Sequence, residues 1–242
     1  MKKNQNNQIV ASGETGQCKW KLVDGTLTIS GTGSMNKDSY RRSQPWSDYL
    51  NEITQVKISE GVTSIGDYAF YECINLTTVA IPNSVTAIGD HAFYGCENLT
   101  SVAIPENVVY IGSSAFERCE NLISITIPES VIYIGTRAFE DCENLTSVAL
   151  PNSVLAIGDR IFWGCKRLTS VTLPEGLIYI GENTFDRCKR LTSVVIPESI
   201  VAIGKDAFRC CNRLNSVVIP NSVVYIGSGA FPDECVVHRQ EK

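Results

Sequence analysis

The sequence predicts a repeat solenoid: a stack of similar coils built from short parallel strands, turns and short helical segments, capped at its start by a β-hairpin. Three observations carry this. A 23-residue unit that opens at Leu76 restarts at Leu99, Leu122, Leu145, Leu168, Leu191 and Leu214, after a degenerate copy from Ile53. Proline and glycine recur at fixed places from unit to unit. Apolar residues alternate at the start of each unit, and self-similarity at a period of roughly 20 to 50 residues marks stacked supersecondary units.

Each unit divides into parts. Leu76, Val79 and Ile81 alternate with Thr78 and Ala80, the period-2 pattern of a strand with one buried face. Pro82 has no N–H to donate and ends that ladder, as do Pro105, Pro128, Pro151, Pro174, Pro197 and Pro220. A second apolar step follows, Val108 to Ile111 in one unit, and then a glycine: Gly66, Gly89, Gly112, Gly135, Gly158, Gly181, Gly204 and Gly227. Glycine at that corner implies either a positive φ or a backbone approach too close for a Cβ. Next come an alanine, a phenylalanine and a cysteine, as at Ala115, Phe116 and Cys119. The spacing of Phe and Cys fits one turn of helix with both side chains inward.

Residues 53–231 are assigned to the solenoid, 17–52 to an N-terminal cap, 1–16 to a flexible N-terminus and 232–242 to a C-terminal cap and tail. In the cap, Trp20–Val23 and Thr26–Ile29 alternate around Asp24 and Gly25, the strongest two-residue hairpin signal. Trp20 and Leu27 are placed to seal the first coil. Residues 31–44 read as an exposed loop and Pro45–Leu50 as a helical turn. After Phe231, Pro232 breaks the unit, Cys235–Val237 can form a closing strand, and the tail from His238 to Lys242 leaves the core.

Composition sets limits on function. At 43% hydrophobic and 19% charged the chain is ordered, and no run of apolar residues is long enough for a transmembrane segment. A net charge of −5 argues against the broad basic surface that nonspecific nucleic-acid binding needs. Lys2 and Lys3 are not followed by an apolar export segment, and neither a signal peptide nor an anchor is seen. One unit cannot fold alone: ordering each residue costs about 1–2 kcal/mol, while five or six large side chains each return about 1.5–3 kcal/mol. Stacking must supply the rest.

With Leu, Val, Ile-Pro, Ile-Gly and Ala-Phe-x-x-Cys at these places, the unit resembles the BspA-like, Treponema-type leucine-rich repeat over residues 53–231. Trp20, the run from Asp24 to Gly33, and Pro45 with Trp46 resemble the leader that often precedes such repeats. The resemblance implies a right-handed superhelix with a strand-lined concave face. It also implies an extracellular or cell-surface setting and a role in adhesion or in protein or glycan recognition.

The residues themselves offer no reaction chemistry. Seven of the ten cysteines occupy the repeat position, at 73, 96, 119, 142, 165, 188 and 211, and their spacing matches no metal-ligand pairing. In-register thiols point parallel rather than at each other, so buried free thiols are expected rather than a disulfide ladder. His91 and His238 have no neighbouring nucleophile, and Ser101, Ser124, Ser147, Ser170, Ser193 and Ser216 have no accompanying base. The chain reads as a non-enzyme without cofactor or metal.

Binding is the better use of the variable positions. The serine column offers a flat strand face flanked by small residues. Tyr110, Tyr133, Tyr179 and Tyr225 precede the Ile-Gly corner and alternate with Ala87, Ala156 and Ala202; each ring is either an interface anchor or packed sideways on its neighbours. Before each Leu the sequence switches from Glu97, Glu120 and Glu143 to Lys166–Arg167 and Lys189–Arg190. That basic strip is suited to an acidic partner, or to the acidic half of another copy. Two readings therefore stand: a binding module for a protein or glycan ligand, and a self-assembling spacer.

Overall fold

The computed structural model describes residues 9–36, 40 and 43–240. Eight coils stack along one axis, each but the seventh with two strand-bearing sides and all with a third side of turns. The N-terminal strands are β1 (Ile9–Thr15), β2 (Cys18–Val23), β3 (Thr26–Gly31) and β4 (Gly33–Ser34); β5 (Gln55–Ile58) and β6 (Val62–Ile65) belong to the first coil.

The hairpin forms as expected. Val23 pairs with Thr26 across Asp24 (φ 46°) and Gly25 (φ 74°), the two positive angles that a type I′ turn requires. Strand β3 then pairs in parallel with β5, so the hairpin continues the first ladder. Three expectations for the flanking segments need correction. Ile9–Thr15, expected to be flexible, forms β1 and pairs antiparallel with β2, supplying partners to an edge that would otherwise be open. Residues 1–8 lie outside the described residues. Within the expected exposed loop, Gly33–Ser34 joins the second ladder as β4, and Met35 and Gln44 are buried; residues 37–39 and 41–42 lie outside the described residues. His238 and Arg239, expected in the tail, belong to a strand over Val236–Arg239 that runs parallel to Ser216–Ile219; residues 241 and 242 are not described. The helical turn before the first coil is a 3-10 turn at Ser47–Tyr49.

Along the first side lie Thr78–Ala80, Ser101–Ala103, Ser124–Thr126, Ser147–Ala149, Ser170–Thr172 and Ser216–Ile219. They pair in short groups rather than as one sheet. In the seventh coil the strand expected over Leu191–Ile196 does not form. There the bond from Thr192 N to Thr169 O stretches to 3.4 Å, against 2.9 Å for Thr169 N to Thr146 O, and a cleft of about 330 Å³ separates Val194–Ile196 from Ser216–Val218. On the second side, the Tyr/Ala-Ile step is itself a strand. Four of these, from Ala87–Ile88 to Ala156–Ile157, pair in parallel in one sheet with β6 and β4, and three more pair from Tyr179–Ile180 to Tyr225–Ile226.

The third side corrects one further expectation and decides between two alternatives left open. Phe and Cys do both face inward, but through turns closed by bonds such as Cys96 N to Phe93 O at 3.2 Å, not through a helix. The corner glycines owe their place to close approach: a Cβ on Gly112 would stand 2.6 Å from the backbone N of Asp90 and from the carbonyl carbon of Gly89. Positive φ falls instead two residues later, on His91 (54°), Ser114 (53°) and Arg137 (59°), and again on Arg118 (60°) and Asp141 (55°). Non-glycine residues rarely adopt it. The compensation is three backbone bonds at every coil interface but the last, which has two. His91, Phe93 and Gly95 donate to Ser113, Ala115 and Glu117 at 2.8 Å each.

One aromatic spine fills the core. Trp20 meets Trp46 edge-on at 5.8 Å, Trp46 stacks on Phe70 at 5.9 Å, and Phe93, Phe116, Phe139, Phe162, Phe185, Phe208 and Phe231 continue at 5.1 to 5.7 Å. Trp46 also donates its Nε1–H to Ala69 O at 2.8 Å. It replaces a repeat ring at the capped end.

Candidate binding surfaces

The parallel second ladder sets the tyrosines in register. Tyr110 stands opposite Tyr133, and their rings stack at 5.4 Å and 11° between planes. Tyr179 and Tyr225 flank Ala202 instead, so each lacks a ring on that side. All four remain exposed, at 37% to 58%. Tyr110 and Tyr133 thus pack sideways on each other, and all four rings still present area to solvent. Tyr110 is fixed further by its hydroxyl, which donates to Asp90 Oδ1 at 3.3 Å. Burial, with the Asp90 charge beside it, pushes that phenol up to about 12.

Sequence reading missed the column beside them. The residue before each tyrosine or alanine is exposed and aliphatic from the third coil onward: Val109, Ile132, Leu155, Ile178, Val201 and Val224. Its equivalents in the first two coils are Thr63 and Thr86. The signal was available. A strand alternates faces, so Val108 and Val109 cannot both be core.

On the first side, Ser101, Ser124, Ser147, Ser170 and Ser193 are exposed, and the first four pair in register as Ser101–Ser124 and Ser147–Ser170. Ser193 lies in the irregular segment of the seventh coil.

The charge switch falls at one ion pair. Lys166 Nζ binds Glu143 Oε1, and Arg167 Nη1 donates to Asn144 Oδ1 at 3.0 Å, each one coil back. Lys189 and Arg190 are exposed in the next coil. These cations stand before the first ladder, whereas the tyrosines stand on the second, so the structure separates what a single ligand footprint would need together. On the turn side, Arg187 lies over the Trp163 ring at 4.6 Å, and Trp163 Nε1 donates to Asp186 Oδ2 at 3.0 Å.

The repeat thiols serve the core. From Cys96 to Cys211 each donates to the carbonyl oxygen of the phenylalanine one coil earlier, Cys96 to Phe70 and Cys119 to Phe93 at 3.2 Å, and burial holds them protonated. All ten cysteines are free. Among the described residues no group of three or more His, Cys, Asp or Glu could hold a metal ion, and no helix is long and apolar enough to cross a membrane. His91 stacks on Tyr68 at 4.7 Å.

A leucine-ladder solenoid with exposed variable columns on its strand sides defines a leucine-rich repeat protein, the class generally used for protein interaction. The model of the BspA type leucine rich repeat region matches residues 48–169 and 134–238 in six copies. The chain belongs to that family. Among solved structures, the Treponema pallidum leucine-rich repeat protein TpLRR is similar at 30% identity and TM-score 0.65, over 84% of this chain and 91% of that one. A leucine-rich repeat protein from Bacteroides ovatus aligns at 23% identity and TM-score 0.68, over 98% of this chain and 71% of that one. A leucine rich cell surface protein from Faecalibacterium prausnitzii aligns at 22% identity and TM-score 0.50, over 96% and 95%. The last two speak for the fold. No curated protein sequence matches the chain.

Proposed function

We propose that the protein is a non-enzymatic binding module of a bacterial cell surface or secreted setting, which recognises a protein or glycan ligand in adhesion. The observation that carries this reading is the tyrosine and aliphatic surface of the second ladder. A contiguous exposed apolar row is expensive to leave in water, and rigid aromatic side chains at 37% to 58% exposure are favoured interface anchors. The cell-surface setting is supported by the description of the Faecalibacterium prausnitzii relative and by family membership. The basic residues Lys166, Arg167, Lys189 and Arg190 form a second, separate candidate surface for an acidic ligand.

The test is binding of the purified chain to a defined panel of host matrix proteins and a glycan array. Replacing Tyr110, Tyr133, Tyr179 and Tyr225 with Ser should weaken any specific capture at least about tenfold, as loss of aromatic anchors does. Changing Lys166, Arg167, Lys189 and Arg190 to Glu should abolish salt-sensitive retention on heparin. A ligand bound equally by both variants would move the site elsewhere. Concentration-dependent light scattering reads out the spacer alternative.

A further inference from the structure

The aliphatic column of the second ladder identifies a partner class, an inference that rests on the binding reading above. Val109, Ile132 and Leu155 are joined coil to coil by N–H···O bonds of 3.0 Å, and Ile178, Val201 and Val224 by bonds of 2.9 Å. Their exposures run from 42% at Val109 to 79% at Val224. Single exposed apolar residues are ordinary, but one in every coil from the third onward is not.

Carboxylates border this row, most densely on one side. After the proline corner stand the exposed Glu106, Glu129, Glu175 and Glu198, with Asn152 and Asn221 at the equivalent places of the other two coils; after the glycine corner stand Asp159, Glu182 and Lys205 among Ser113, Thr136 and Ser228, with Asp90 one coil before the row. Asp90 and Asp159 also accept a backbone N–H from the next coil, at 2.7 and 2.8 Å, which fixes their position without neutralising them. An apolar row beside an acidic column is complementary to an apolar stripe flanked by lysine or arginine.

Spacing then chooses the conformation. Paired parallel strands space neighbouring coils by about 4.8 Å, and the stacked Tyr110 and Tyr133 rings stand 5.4 Å apart. An α-helix advances about 5.4 Å per turn, so a helix along the solenoid axis stays close to one side chain per coil. Same-side residues of an extended strand recur at about 6.6 Å and drift out of register within a few coils. Among the described residues the helical segment is the 3-10 turn Ser47–Tyr49, so a second copy does not supply the partner. We infer that the second ladder docks a basic amphipathic α-helix of about five turns from another protein.

The probe is a synthetic 18-residue peptide with leucine on one helical face and lysine on its flanks. A version with two central prolines and a version with glutamate for lysine are the controls, all titrated by fluorescence anisotropy at low and moderate salt. The lysine helix should bind in a salt-sensitive manner, with both controls at least about tenfold weaker. The pair Ile132→Asn and Ile178→Asn should lose at least about tenfold, and Glu129→Gln with Glu175→Gln should reduce both affinity and salt dependence. Should the isoleucine pair disturb folding, Val224→Asn, the least packed member, gives the same reading in smaller measure. Equal binding of the proline peptide, full affinity in the apolar variants, or no binding of the lysine helix would overturn the inference. If the helix fails while the tyrosine variants still lose a matrix or glycan ligand, the binding reading stands and the helical partner falls.

Discussion

The thiol of Cys142 donates to the backbone carbonyl oxygen of Phe116, 26 residues earlier, at 3.2 Å. The bond ties a side chain of one coil to the main chain of the coil before it, beside the stacked rings of Phe116 and Phe139. Desolvation raises the thiol well above its ordinary value, so almost no thiolate exists to react. Labelling of the native protein should therefore be fast only at Cys210 and Cys235, the two that are not buried. Cys142→Ser keeps a donor near Phe116 but buries a more polar group with a shorter reach, and should cost about 1–2 kcal/mol in chemical denaturation. Oxidised repeat thiols in the denatured protein would refute the packed-thiol account.

Removing Trp46 should open one end of the molecule and leave the other intact. The ring is fully buried, stacked on Phe70 and bonded to Ala69, so Trp46→Ala is expected to cost about 3–5 kcal/mol. Each coil touches only its neighbours, so hydrogen exchange should accelerate around Phe70 and Val85 and stay unchanged around Phe208 and Val223. Uniform acceleration would show that the stack unfolds as a single unit.

Two glycines separate steric from conformational need. Gly95 has φ +68° but its Cβ would find ordinary space, 3.4 Å from Glu72 Cγ, whereas Gly112 has no positive φ and backbone atoms 2.6 Å away. Gly95→Ala should cost about 1 kcal/mol and Gly112→Ala about 3 kcal/mol, measured by equilibrium denaturation. The reverse order would mean that dihedral strain, not contact between coils, selects the corner glycine.

This contrast marks what the sequence could reveal. The period, the proline and glycine corners, the Asp24–Gly25 hairpin and the buried Phe and Cys are each local patterns with one physical cause, and they were legible. The left-handed residues were not. Arg118, Arg137 and Asp141 adopt that conformation because three cross-coil backbone bonds outweigh their preference, and a bond made by main chain leaves no trace in side-chain identity. The candidate surface was half legible: the tyrosines stand out by type, but Ile132 and Leu155 were absorbed into the apolar pattern beside them. Nor does repetition explain why Leu191–Ile196 fails to pair when near-identical segments do.

Acidity provides a further test. Burial, with Glu117 alongside, pushes the Glu140 carboxyl up from 4.5 to about 7, although Arg137, at 3.6 Å, and Arg160 oppose the shift. Because the folded value lies above the unfolded one, the protonated form favours folding. That contribution is complete below about pH 4.5 and lost as the pH rises to about 7. Glu140→Gln should flatten the fall in melting temperature across this range and stabilise the protein above pH 7 by about 1–2 kcal/mol, after allowance for solvent screening at a surface turn. An unchanged pH slope would assign the carboxyl an ordinary titration.

The bonds from His91, Phe93 and Gly95 to Ser113, Ala115 and Glu117 recur between coils with other residues in the same places. These main-chain bonds need no particular outward side chain, so the frame tolerates many residues at the outward positions of the third side. A lineage can therefore rewrite its outer face by point substitution, or alter its reach by duplicating or losing a whole unit through recombination, without redesigning the interior. In this architecture the freedom to vary is a property of the backbone.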